Sequence, residues 1–169
     1  MPSAQWRSGY DTAYGADWSG SALTSWLDST VVAAKTRGDH VAVVTHEPYW
    51  SSGTDGHSET EGDAQRPWID VLDKHDVPLL LTGHQHNYER FHPQNATSVR
   101  NDATGTQEFQ VSTGGIGLRT FTTTAANSAV KNNNTYGWLR MVLKANGSYD
   151  WQFVPTEGTF TDAGTRTRP

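Results

Sequence analysis

Two short apolar runs, each leading into a histidine segment, do most to limit what this chain can fold into. Val41-Ala42-Val43-Val44-Thr45 runs directly into His46-Glu47-Pro48-Tyr49, and Val77-Pro78-Leu79-Leu80-Leu81-Thr82 runs into Gly83-His84-Gln85-His86-Asn87. Continuous apolar runs of this length, without polar alternation, suit strands buried on both faces. Pro78 stands near the start of its run, where a strand tolerates proline. A helical pattern precedes each run. Ser21 is placed to cap a helix carrying Leu23, Trp26, Leu27, Val31 and Ala34 at helical spacing, and Gly38 stops it. Pro67, Trp68, Ile69, Val71 and Leu72 mark a second helix that closes near His75-Asp76. Helix, strand, helix, strand in this order predicts parallel strands joined by a crossover.

Further along the pattern changes. Glu108 to Ser112 predicts a strand leading into Gly114-Gly115-Ile116-Gly117. Tyr136 to Lys144 and Ser148 to Val154 predict an antiparallel hairpin around the Asn146-Gly147 turn. A polar loop is expected from about Glu47 to Asp63, and residues 1–20 read as an irregular segment without a clear period. The expected fold class is α/β, with a parallel βαβ unit at the front and an antiparallel β-hairpin at the back of a unit spanning 21–169. A helix-first α/β unit with only two parallel strands looks cut from a larger sheet. The N-terminal strands of that sheet are therefore expected to be missing from this chain.

Composition closes off several functions. The chain's 169 residues suit one domain. Only 34% are hydrophobic, so the seven Trp, six Tyr and five Phe must supply much of the buried area. A net charge of −5 without a basic run argues against nucleic acid as a partner. The absence of Cys excludes disulfides and thiolate metal sites. No run is long enough to span a membrane, and Met1-Pro2-Ser3-Ala4-Gln5-Trp6 lacks the apolar region of a signal peptide.

The chemistry gathers at the two histidine segments. In open α/β sheets ligands bind outside the carboxyl ends of the strands, where both segments fall. Gly83 lets the chain turn tightly as it leaves the strand. In extended backbone, residues two apart share a side, which would bring His84 and His86 to one locus. Neutral imidazole suits zinc, iron and related ions. A lone histidine after a strand is usually a loop residue, and one His-x-His pair is a weak signal. Two such segments at neighbouring strand ends make a metal nest the stronger reading.

Gly83-His84-Gln85-His86-Asn87-Tyr88-Glu89-Arg90 closely resembles the Gly-His-x-His-x-Tyr-Glu-Arg signature of purple acid phosphatases and their bacterial relatives in the calcineurin-like metallophosphoesterase superfamily. Val44-Thr45-His46-Glu47-Pro48-Tyr49-Trp50 resembles the His-x-Pro segment that precedes it there. Phe153-Val154-Pro155 and Phe160-Thr161-Asp162 also look like these enzymes, so the resemblance covers the chain from about Ser21 onward. It implies metal-assisted hydrolysis of phosphate esters at two divalent or trivalent ions, iron, zinc or manganese. By this resemblance His46 and His84 would bind one ion and His86 the other. His57 would contact the phosphate or protonate the leaving group. Glu89 would help to orient the histidine rings, while Tyr88 and Arg90 would face the site or brace its loop. The same resemblance implies an exported protein.

The chain also departs from the family pattern. The complete family site needs an Asp-x-His segment, a Gly-Asp segment that supplies a bridging carboxylate, and a Gly-Asn-His segment, all upstream of the strand ending in His46. Asp55-Gly56-His57 follows no apolar strand, Gly38-Asp39 and Gly62-Asp63 lack the right surroundings, and Gly-Asn-His does not occur. A bridging carboxylate offsets the repulsion between two cations, and neutral histidines cannot. The chain alone is expected to bind one ion weakly, or none. Catalysis is expected to need an N-terminal half supplied from elsewhere, with self-association through an exposed sheet edge as a consequence. Two further readings stay open. One is a non-catalytic remnant that binds a metal or a partner; the other is a mononuclear zinc hydrolase built on His46, His84 and His86, with Glu47 as general base.

Overall fold

In the computed structural model of the protein, which describes residues 21–53 and 65–167, the first helical pattern forms α1 (Ser21–Thr36). Gly38 ends it in the left-handed region at φ +84°, with the Gly38 and Asp39 amides donating to the Lys35 and Ala34 carbonyls. The second pattern forms α2 (Arg66–Lys74), with Pro67 in its first turn and Ile69, Val71 and Leu72 buried. The irregular segment over 1–20, His57 and the pairs Asp55-Gly56 and Gly62-Asp63 lie outside the described residues.

The two apolar runs become β1 (Ala42–Val44) and β2 (Leu79–Thr82), paired in parallel with Ala42 opposite Leu79. Beyond them come β3 (Tyr88–Phe91), β4 (Gln107–Val111) and β5 (Ser128–Asn132), and the five strands lie in the order β1-β2-β4-β3-β5. β4 is parallel to β2, while β3 is antiparallel to both β4 and β5. A second, antiparallel sheet of β6 (Gly137–Leu143), β7 (Tyr149–Pro155) and β8 (Ala163–Arg166) follows. The hairpin turn is the expected one, with Gly147 at φ +80° and the Asn146 carboxamide oxygen accepting from the Ser148 amide.

Side-chain alternation gives the first sheet two working faces. Leu80 points into a core with Val31 of α1 and Ile69 and Leu72 of α2, joined by Trp50 and Phe91. Leu79 and Leu81 point the other way, onto Phe109 and onto Leu139, Met141, Tyr149 and Trp151 of the second sheet. The second sheet therefore packs on one face of the first, and the helices cover the other.

Two expectations change. β1 was expected to be a buried strand, but it pairs only with β2 among the described residues, and Val44 is 72% exposed. Its apolar run has the composition of an interior strand and stands at an edge. Tyr88 to Arg90, expected as part of a loop, forms strand β3, because Tyr88 pairs with Val111 and Asn132 and is fully buried between them. The strands β5 and β8 carry too little apolar patterning for sequence to expose them.

Candidate metal centre

The carboxyl ends of β1 and β2 place the two histidine segments side by side. The ladder continues past the strands, with the Thr45 amide donating to the Leu81 carbonyl and the Gly83 amide to the His46 carbonyl. His46 Nε2 and His84 Nδ1 stand 3.2 Å apart, with ring centroids 5.2 Å apart and ring planes nearly perpendicular. Two nitrogens bound to one tetrahedral zinc, each about 2.05 Å from it, are separated by about 3.3 Å. Glu47 Oε1 lies 3.4 Å from the same His84 nitrogen, and ligand atoms of His46, Glu47 and His84 all fall within 4.8 Å of one another. Two imidazoles and a carboxylate form a donor set that suits a borderline ion such as zinc. The residues present fit one ion. Among the described residues His86 does not join this group.

The local backbone differs from the expected one. The segment after β2 is bent rather than extended, with His84 at φ +66° and His86 at φ +53°. Gly83 was expected to make the turn, yet the left-handed conformation falls on the two histidines. Histidine is among the residues that enter this region more readily, at a cost of about 1–2 kcal/mol. The conformation is held from three sides. Gln85 is fully buried, with its side chain against the backbone of Gly53, where an added Cβ would stand 2.2 Å from the Gln85 carboxamide oxygen. The His86 carbonyl accepts from the Arg119 amide, and Asn87 exchanges hydrogen bonds with Ser112 at the end of β4.

The signature residues after the histidines divide by strand alternation. Tyr88 and Arg90 face the second sheet. The Tyr88 hydroxyl donates to Asp162 Oδ2 at 2.6 Å, and burial together with this carboxylate pushes the phenol far above its ordinary range. Arg90 makes two hydrogen bonds to Asp162 and lies over the Trp151 ring. Glu89 faces the opposite side and is fully buried. It accepts from the Ser52 amide, the Ser52 hydroxyl and the Ser128 hydroxyl. The structure thus places Tyr88 and Arg90 on Asp162, and the hydrogen bonds of Glu89 run to Ser52 and Ser128.

Glu108 of β4 is a second fully buried carboxyl that the sequence reading passed over. It accepts from Thr82 Oγ1 at 2.7 Å and from the Trp50 amide at 3.0 Å. Burial raises it to about 8, and the nearby Glu89 charge pushes the same way. The signal in the sequence was an acidic residue inside an expected strand. Beside His46 opens a cleft of about 440 Å³, walled by Gly83, Thr113 and the β6 residues Trp138, Leu139 and Met141.

No protein-family model matches the chain. Two uncharacterized proteins from two strains of Mycobacterium tuberculosis are 31% identical over 83 residues, which is 48% of this chain and 16% of each relative. The chain thus spans a small part of the curated relatives it matches. Among solved structures, purple acid phosphatase PPD1 from yellow lupin seeds (Lupinus luteus) superposes with a TM-score of 0.72 at 19% identity. The match covers 88% of this chain and 28% of the lupin chain. GAP50, the anchor in the inner membrane complex of Plasmodium, gives 0.62 at 18% identity over 86% of this chain and 42% of that protein. The chain has a purple acid phosphatase-like fold. No helix among the described residues is long and apolar enough to cross a membrane.

Proposed function

We propose that this chain carries the histidine half of a metal-dependent phosphoesterase that hydrolyses phosphomonoesters once the rest of its site is supplied. The observation behind this reading is the convergence of His46 and His84 at the ends of parallel strands within a purple acid phosphatase-like fold. His46 and His84 would hold one ion and His86 a second, as iron, zinc or manganese, with His57 reaching the phosphate or the leaving group. Bound there, such ions polarise phosphoryl oxygens and activate water. The chain's own part is to hold the two imidazoles at ligand spacing and to offer the cleft beside His46 to the organic portion of the ester. One carboxylate, Glu47, stands with His46 and His84. A second ion close by needs further negative charge, and this would come from a β-rich polypeptide seated on the open edge of β1. Resemblance to purple acid phosphatases supports an extracellular location.

Metal stoichiometry tests this reading, on chain loaded with zinc, iron or manganese, desalted and assayed with p-nitrophenyl phosphate. One weakly held ion, lost in His84→Ala, with negligible turnover, is expected. Two tightly held ions with turnover would overturn the half-site part of the reading. An ion that survives His84→Ala would overturn the ligand assignment.

Glu47 favours a second reading, a mononuclear zinc hydrolase with Glu47 as general base beside His84. Measurable hydrolysis by the zinc-loaded chain, lost in Glu47→Gln while zinc stays bound, would favour that reading, whereas the first expects negligible turnover from this chain alone. Similarity to a Plasmodium anchor protein supports a third, a non-catalytic module that retains a metal or partner site.

A further inference from the structure

The candidate ligands sit on two pieces of chain, His46 with Glu47 and His84 with His86, so something must hold those pieces in register. The backbone ladder does this between β1 and β2 and on through Thr45–Leu81 and Gly83–His46. Below it lies Glu108, fully buried on β4, which stands outside the candidate ligands and bonds to the chain beside them. One of its oxygens meets the hydroxyl of Thr82, two residues before His84. The other meets the backbone amide of Trp50, four residues after His46. A single side chain thus spans the two segments from the third strand over. Trp50 is buried and tied again by its indole to Ser98 Oγ, so the segment it anchors is a packed piece of structure.

We infer that Glu108 is a positioning residue that locks the His46 and His84 segments together and so sets the spacing of the two imidazoles. The inference rests on the metal-site reading above and adds a residue to it.

The chemistry of the brace makes a sharp distinction between substitutions. Oε2 must accept, because the Trp50 amide can only donate. Oε1 faces a hydroxyl, which can rotate to donate or accept. A protonated carboxyl satisfies Thr82 and Trp50 together, with its O–H donating to Thr82 Oγ1 and its carbonyl oxygen accepting from Trp50, and the backbone of Tyr49, in the same His46 segment, adds a further hydrogen bond to this carboxyl. A glutamine satisfies both in the same way, with N–H in place of O–H. The neighbouring charge comes from Glu89 on β3, which is engaged by Ser52 and Ser128 and adds no cation to the pair. The raised titration of Glu108, caused first by burial, agrees with a brace that works in its neutral form.

The experiment uses the full chain and three variants, Glu108→Gln, Glu108→Ala and Thr82→Val. Hydrogen exchange of the Trp50 amide reads the brace itself, ring-to-ring nuclear Overhauser contacts read the His46–His84 approach, and zinc titration reads the consequence. Glu108→Gln should keep all three within about twofold. Glu108→Ala should lower Trp50 protection and zinc affinity by about tenfold or more while far-ultraviolet dichroism stays native. Thr82→Val, which removes one leg and leaves strand packing intact, should weaken zinc binding and leave Trp50 protected. Zinc affinity and ring contacts unchanged in both Glu108→Ala and Thr82→Val would overturn the inference. So would a loss in Glu108→Gln equal to that in Glu108→Ala, because the neutral brace would then be wrong. Should Glu108→Ala not fold, Thr82→Val and Glu108→Gln still decide between these outcomes. Should wild-type chain take up no zinc, the metal reading fails, and amide exchange with ring contacts still judges the brace.

Discussion

At the scale of the residue, placement in the alternation of a strand decided more than chemical type. Tyr88, Glu89 and Arg90 are consecutive, yet their side chains serve two different interiors, Asp162 on one side and Ser52 with Ser128 on the other. Glu108 is the residue whose burial has the clearest consequence in solution. The folded chain holds its proton up to about pH 8, whereas the unfolded chain releases it near the ordinary carboxyl value of 4.5. Between those values the folded state carries one more proton, so stability falls as pH rises through that window and levels off above it. The contribution is fully present below the unfolded value and lost as pH passes the folded one. Wild-type chain should therefore melt several degrees lower near pH 8 than near pH 5, roughly 5 °C or more. Glu108→Gln should show a clearly smaller drop, and an equal drop in both proteins would remove Glu108 as the cause.

At the scale of the element, the site depends on two loops that meet at their candidate ligands and interlock again below them. Loop 47–53 is pinned from below by Glu108 and Glu89, and its Gly53 backbone rests on Gln85, the residue between the two signature histidines. Gln85 is fully buried, so a new methyl group at Gly53 must displace its carboxamide within the protein interior. Gly53→Ala should cost about 1–3 kcal/mol and lower the thermal midpoint, and it should weaken zinc binding by shifting the left-handed turn at His84 and His86. A midpoint and affinity equal to wild type would show that the contact yields freely. The spacing of the two histidine segments was legible in the sequence because each follows an apolar strand. The interlock was not, because Gly53 and Gln85 are far apart in the chain and carry no pattern.

At the scale of the whole molecule, the two sheets pack well against each other and leave apolar edges. Val44 of β1 is 72% exposed, Trp138 of β6 is 53% exposed, and both line the cleft beside His46. An apolar edge strand is a template for further pairing. The full chain should therefore self-associate as concentration rises in sedimentation velocity, and Val44→Lys should suppress this without lowering the thermal midpoint. A monodisperse monomer at high concentration would argue against an open edge in solution.

The sequence by itself determined the βαβ front, the hairpin, and which histidines stand as candidate ligands. Hydrophobic period, glycine position and a long signature are local properties that short stretches of chain express on their own. It also pointed to His46 and His84 as neighbours, since two strands of this kind pair in parallel. Only the tertiary structure decided that β1 stands at an edge and that Glu47 joins the imidazoles. The same holds for Tyr88 and Arg90 closing on Asp162, and for Glu108 reaching both histidine segments from a third strand. Each of these depends on which residues from distant parts of the chain come to face one another. That is set by sheet order and side-chain alternation together, and no local pattern encodes it.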